Sequence, residues 1–358
     1  MSLRREAAAL LADAQGPISH ALTDPGVEDL AVNEPGGFWT RRASGWTRHT
    51  EPRLDFAWLE GLAVLAGRLR DQNVGKRNPI LSTDVPGLGP SAHPLRLEAV
   101  LPPAVPHDTL ALCYRRPGDD AAPLEEMPQR YDVSAWNKWG QRGERRRAAS
   151  SALLDLYDAG DVTAFMQAVV DTRRTVLFCG PTGAGKTWLG RTLTGAIRRC
   201  ERILTIEDSL ELTVPQPNHV RLLFSSGGLT GADLSPARLL KASLRLRPDR
   251  IMLQELRDPE AAWIYLNEGM TGHGGTLTTI HGADAPQAAR RLFNLTKGSA
   301  EGASIQDATI TAMLAAAVDV IVPVAVTEGG RRALREVWFA DDAARRGGEG
   351  FADLLRTH

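Results

Sequence analysis

One stretch constrains this chain more than any other: Gly180-Pro181-Thr182-Gly183-Ala184-Gly185-Lys186-Thr187. A glycine, four residues, then Gly-Lys-Thr is the spacing of a phosphate-binding P-loop. The apolar segment Thr175 to Cys179 precedes it and has the length of a buried parallel strand. Trp188, Leu189, Leu193 and Ile197 follow at helical spacing. Strand, glycine loop and helix in that order demand an α/β layer with the loop at the sheet's edge. Gly180, Gly183 and Gly185 permit backbone angles that turn successive N–H groups toward one anion. The helix adds the positive end of its dipole. Lys186 is placed to reach the β- and γ-phosphates of ATP, and Thr187 to put its hydroxyl on Mg²⁺. Only five of the 42 basic residues are Lys, yet one stands where a compact ammonium is required.

A length of 358 residues favours two domains. The net charge of −1 gives no global basic field for nucleic acid or anionic lipid. No sequence-specific nucleic-acid partner is expected, and a local basic patch stays open. Cys113, Cys179 and Cys200 are far apart, without metal-ligand spacing. They read as reduced, buried thiols of a cytosolic protein. No window approaches the ~18 apolar residues of a membrane span, so any membrane association is expected to be peripheral.

Residues 1–116 read as an α+β domain. Helical patterns cover 1–23 and 54–70; turn signals at Asn33 to Gly37 and Ala43 to Gly45 mark hairpins. Further strands are expected at 79–81, 95–100 and 109–115. Residues 117–150 have linker chemistry, with a basic run through Arg142 and Arg145 to Arg147. From 151 the pattern becomes strand–helix alternation, with strands at 175–179, 202–207, 250–255, 275–280, 318–322 and 334–339. That alternation predicts a largely parallel sheet.

In an open α/β sheet the ligand sits at the carboxyl ends of the strands, and here consecutive strands end in chemistry. The second strand ends in Glu207-Asp208, with Glu211 close behind. The third ends in Glu255-Leu256-Arg257, and the fourth in His281. Glu255 is suited to hold Mg²⁺ through water or to polarise the attacking water; Glu207 is the other candidate, and the residues leave open which is the base. His281 is placed to hydrogen-bond the γ-phosphate. Arg245 and Arg247, ahead of the third strand, are candidates for a cation donated to a neighbouring subunit's transition state, with salt bridges at a helix end as the alternative.

With these stretches in hand, the chain resembles the hexameric traffic ATPases of bacterial type IV secretion systems, within the wider secretion and pilus ATPase superfamily. The resemblance rests on the P-loop, on Ile203 to Asp208 with Glu211, on Leu244 to Arg257, and on Thr271 to His281. Val32 to Gly36 and Pro102-Pro103-Ala104 match the family's N-terminal domain. Gln254 departs from it, standing where Gly is usual, as does Pro86 to Pro94. The resemblance implies a RecA-like P-loop ATPase domain over 151–358, a smaller α+β N-terminal domain, and a homo-hexameric ring. The ring would power substrate export or pilus assembly, with other secretion ATPases and inner-membrane components as partners at the cytoplasmic face of the inner membrane. It further implies that two N-terminal arginines, here matched by Arg96 and Arg115, reach the nucleotide. A type II secretion or pilus motor, a nucleic-acid translocase and a nucleotide-gated scaffold are the alternatives.

Overall fold

The computed structural model describes residues 2–88, 93–117, 124–130, 142–225, 234–270, 274–348 and 350–356. Two sheets organise them. The first is built from β1 (Asp29–Val32), β2 (Gly37–Arg42), β3 (Gly45–Thr50), β4 (Ile80–Val85), β5 (Leu95–Val100) and β6 (Ala111–Arg115). All its pairings are antiparallel, in the order β3-β2-β1-β6-β5-β4. Helices α1 (Ser2–Ala14), α2 (Ser19–Thr23) and α3 (Phe56–Arg68) accompany it. Asp55 caps α3 by accepting from the Trp58 N–H at 2.7 Å.

The strands alternate, and the two faces serve different neighbours. Leu30, Val32, Leu112 and Tyr114 join one core with Leu11, Leu59 and Leu62 of the helices. Ala31, Ala111 and Cys113, the intervening residues, join a second core with Val220, Leu222, Leu239 and Leu240 of the C-terminal half. Small side chains on that face let the two halves approach closely.

Helices α4 (Met127–Arg130), α5 (Arg142–Asp158) and α6 (Val162–Asp171) lead to the second sheet. Of the stretch expected to be linker, 118–123 and 131–141 lie outside the described residues. Helix α5 already begins at Arg142 and runs without a break through 150 into the C-terminal half.

The second sheet comprises β7 (Val176–Cys179), β8 (Ile203–Glu207), β9 (His219–Leu223), β10 (Arg250–Leu253), β11 (Leu277–Ile280), β12 (Val320–Val326), β13 (Arg332–Leu334) and β14 (Trp338–Phe339). Its order is β13-β12-β7-β11-β10-β8-β9, with β14 pairing β12. The pairings from β12 to β9 are parallel, and β11 separates the P-loop strand from β10, the RecA-like arrangement. Its helices are α7 (Lys186–Ala196), α8 (Pro236–Arg245), α9 (Pro259–Met270), α10 (Ala285–Lys297), α11 (Asp307–Ala317), α12 (Ala340–Arg345) and α13 (Phe351–Arg356). Val176 and Phe178 face α5 to α7, while Leu177 and Cys179 face the opposite core. Both faces are covered, which is why these strands read as continuous apolar runs.

Three sequence expectations are corrected. Strand β9 was not anticipated. The strand expected at 334–339 is two short strands, β13 and β14, joined by a bulge at 335–337. Pro323 has no N–H to donate, and its carbonyl accepts from the Arg335 N–H at 3.1 Å before the chain shifts register. Cys113 and Cys179 are buried, but Cys200 is exposed in the turn before β8.

Candidate active site at the strand ends

The P-loop leaves β7 at Gly180 and enters α7 at Lys186. Gly180, Gly183 and Gly185 all have positive φ, at 153°, 80° and 101°. At Gly180 a Cβ would also collide with the Val324 carbonyl of β12, so glycine is demanded there twice over. The Lys186 ammonium folds back onto its own loop, donating to the carbonyls of Gly180 at 2.8 Å and Pro181 at 3.0 Å. Burial pushes its pKa below the usual lysine value, and the nearby Glu255 carboxylate opposes that shift.

Glu255 and His281, expected from separate strand ends, meet: His281 Nε2 lies 2.9 Å from Glu255 Oε1. An Nε2–H donating there fixes the carboxylate and leaves Oε2 for another donor. Gln254 braces this corner. Its Oε1 accepts the Asp208 N–H at 2.9 Å. Its backbone donates to Ile206 at 3.0 Å and accepts from Thr279 Oγ1 at 2.6 Å. One residue thus ties the ends of β8, β10 and β11. Gln254 is not among the positive-φ residues, so the backbone there does not require glycine. Thr271 to His273 lie outside the described residues.

Glu207 lies at the same edge, and its carboxylate is fully engaged within the protein. The side chain is 0% exposed. Oε1 accepts from Thr205 Oγ1 at 2.6 Å and Arg221 Nε at 3.2 Å. Oε2 accepts the N–H groups of Glu211 at 2.9 Å and Leu212 at 2.7 Å, and Arg221 Nη2 at 3.2 Å. No lone pair remains for a water. Glu207 holds the 208–212 loop and Arg221 instead. Arg221 sits between buried Val220 and Leu222, and that alternation was the overlooked signal for it and for β9.

Arg245 and Arg247 have partners within their own chain. They precede β10, at the edge of the sheet opposite the P-loop and about 13 Å or more from it by strand length. Both are engaged by the N-terminal half of their own chain. Arg245 Nη1 donates to Ser82 Oγ at 2.7 Å, and Arg247 Nε donates to Asp29 Oδ2 at 3.1 Å. Arg96 and Arg115, register partners on β5 and β6, are exposed and line a cavity of about 380 Å³ with Arg245, Ser82 and Glu98. No P-loop residue lines that cavity.

The same edge carries a tie that sequence did not reveal. Buried Arg202, its pKa lowered to about 10 by burial, donates to Asn33 Oδ1 at 2.6 Å, Asn218 Oδ1 at 2.5 Å and the Leu246 carbonyl at 3.0 Å. Its guanidinium lies over the Trp46 ring. Asn33 in Val32 to Gly36 therefore serves as a bridge between the halves.

A model of the family described as "Type II/IV secretion system protein" matches residues 145–328, the span that holds the P-loop and every strand end above, so the fold and site are of that class. The chain is 46% identical over 339 residues to protein VirB11 of Rhizobium radiobacter, covering 95% of this chain and 96% of that one. It is 33% identical over 335 residues to the type IV secretion system protein VirB11 of Bartonella quintana, covering 91% and 92%. Its fold matches the crystal structure of the VirB11 ATPase from the Brucella suis type IV secretion system, in complex with sulphate, with a TM-score of 0.86 and 30% identity over 97% of this chain and 99% of that one. The chain belongs to the VirB11 family of type IV secretion ATPases.

Proposed function

We propose that this chain is a Mg²⁺-dependent ATP hydrolase working as a homo-hexameric ring, which drives substrate export or pilus assembly at the cytoplasmic face of the inner membrane. The observation that carries the chemistry is the convergence of Lys186, Glu255 and His281 beside a loop of positive-φ glycines. The loop amides and the N-terminus of α7 receive the phosphates, and Lys186 exchanges loop carbonyls for phosphate oxygens. The Thr187 hydroxyl is a hard oxygen donor that would hold Mg²⁺ directly, and Glu255 would reach the ion through a bound water. Among the described residues no group of three or more His, Cys, Asp or Glu forms a metal cage, which suits an ion kept mainly by phosphates and water. When bound, Mg²⁺ neutralises charge across the β- and γ-oxygens. Glu255, held by His281 through Oε1, accepts a proton from the attacking water at Oε2.

Arg96 and Arg115 sit at the interdomain edge rather than over their own P-loop. Their placement supports a ring in which the N-terminal half of one copy closes the site of the next. No helix among the described residues is long and apolar enough to cross a membrane, so the membrane contact in this reading is peripheral and is made with inner-membrane components and other secretion ATPases.

The test is Lys186→Ala. Removing the ammonium is expected to abolish ATP turnover while the thermal transition of the purified protein stays in place. Wild-type turnover by the folded variant would refute the assignment. Chelation of Mg²⁺ is expected to stop hydrolysis, and particle mass with ATP bound reads the ring directly.

A further inference from the structure

The β12–β13 hairpin stands beside the P-loop, and one side chain from it lies on the loop itself. Arg332 reaches across Gly185: a Cβ built on that glycine would be 2.8 Å from both Arg332 Cδ and Nε. Gly185 is the N-cap of α7, so only a residue without a side chain leaves room for the guanidinium. Arg332 is exposed, and its guanidinium has no hydrogen bond or ion pair among the described residues.

Trp188 is the third residue of the same helix, three positions after Gly185. Residues i and i+3 share a helix face, and helical side chains lean toward the N-terminus. Trp188 therefore shares a helix face with the glycine that Arg332 crosses. It is 59% exposed, although a tryptophan normally contributes much of its area to a core. Val326 is the cross-strand partner of Arg332 and shares its face; it too is exposed, at 48%. An indole, a guanidinium plane and an apolar side chain thus surround the first turn of α7, just beyond the phosphate loop. None is used by the hydrolytic residues.

We infer that Trp188 and Arg332 form a stacking seat for the base of the nucleotide whose phosphates occupy the P-loop, with Val326 as its apolar wall. This rests on the P-loop reading above and extends it to the part of the ligand the loop does not touch. A planar heteroaromatic base is the chemistry that suits such a seat. Its faces stack on indole and guanidinium alike, and its insertion removes exposed apolar surface from water. Neither side chain reads the hydrogen-bonding edge of the base, so the seat selects for a base without choosing strongly among purines.

The experiment compares ADP with inorganic pyrophosphate, which carries the same phosphates and no base. Affinities are measured by calorimetry with Mg²⁺ on the full chain, for wild type, Trp188→Ala, Trp188→Phe and Arg332→Ala. Trp188→Ala and Arg332→Ala are each expected to weaken ADP by about ten- to hundredfold, with pyrophosphate affinity changed less than about threefold. Trp188→Phe, which keeps a ring, is expected to recover most of the loss. Unchanged ADP affinity in the alanine variants would overturn the proposal. So would an equal loss for ADP and pyrophosphate in Arg332→Ala, which would make Arg332 a phosphate ligand. Failure of the wild type to bind either ligand is a separate outcome that overturns the P-loop reading itself, and the base seat with it. Both positions are exposed, and matched thermal transitions confirm that the variants are folded.

Discussion

Glu98 offers a quantitative test of the interdomain edge. It lies on β5 with 3% of its surface exposed. Ser82 Oγ donates to Oε2, Arg245 Nη1 is 3.9 Å from that oxygen, and buried Oε1 has no partner. Burial pushes its pKa from the ordinary 4.5 up to about 7, against the smaller opposing effects of Ser82 and Arg245. The folded chain therefore keeps a proton that the unfolded chain has released. Stability is full below pH 4.5, falls as pH rises toward 7, and is flat above. At about 1.36 kcal/mol per pH unit, the loss is about 3 kcal/mol at pH 8 and below about 1 kcal/mol at pH 5. Glu98→Gln keeps the shape and an acceptor for Ser82 but cannot ionise. Urea unfolding of both proteins at pH 5, 6, 7 and 8 is the assay. The stability difference, variant minus wild type, is expected to grow by about 2 kcal/mol from pH 5 to pH 8; a constant offset from the unpaired amide does not affect that slope. Parallel pH profiles would refute the reasoning.

Two further outcomes bear on Arg247 and Glu207. Arg247→Ala removes a partner of Asp29, which is 3% exposed; it is expected to cost about 1–3 kcal/mol in chemical denaturation and to leave turnover per folded protein within a few fold, whereas loss of a trans cation would cost ~10³ or more. Glu207→Gln leaves Arg221 and two loop N–H groups under-satisfied and is expected to destabilise by about 2–4 kcal/mol, with strong coupling to Arg221→Ala in a double-mutant cycle; unchanged stability together with a hundredfold loss of turnover would return the base assignment to Glu207.

The catalytic edge was legible because its constraints are local. A Gly-x-x-x-x-Gly-Lys-Thr loop needs its glycines for backbone angles and its lysine for charge, and both needs show in the letters. Glu255 and His281 were legible because each terminates an apolar run, where a polar residue has no packing reason to be. That they would touch was not legible, since it depends on β10 and β11 being neighbours. Strand β9 was missed because its period-2 pattern is short and interrupted: Val220, Leu222 and Phe224 are buried, while Arg221 breaks the apolar run and Leu223 fills an intervening position. The split of 334–339 depends on Pro323, thirteen positions upstream of Glu336, and no reading of the segment alone would reveal it.

The arginines ahead of β10 carry the more general point. Arg245 and Arg247 stand close in sequence to Glu255 and are expected as cations for a neighbouring subunit's site. Strand direction places them away from the P-loop of their own chain. Residues that follow a parallel strand lie at its carboxyl edge with the ligand; residues that precede it lie at the far edge. Arg245 and Arg247 precede β10, as Arg202 precedes β8, and all three engage the N-terminal half through Ser82, Asp29 and Asn33. Glu207, Gln254 and His281 end or follow their strands and gather at the P-loop edge. Three arginines at the amino edge thus tie down the N-terminal half, which also reaches the carboxyl end of β9, where the Leu223 N–H donates to the Ala104 carbonyl at 2.8 Å. Arg96 and Arg115 are register partners on β5 and β6 and share a cavity with Arg245 and Glu98, so strand direction places them with the residues that precede β10 rather than with the P-loop of their own chain.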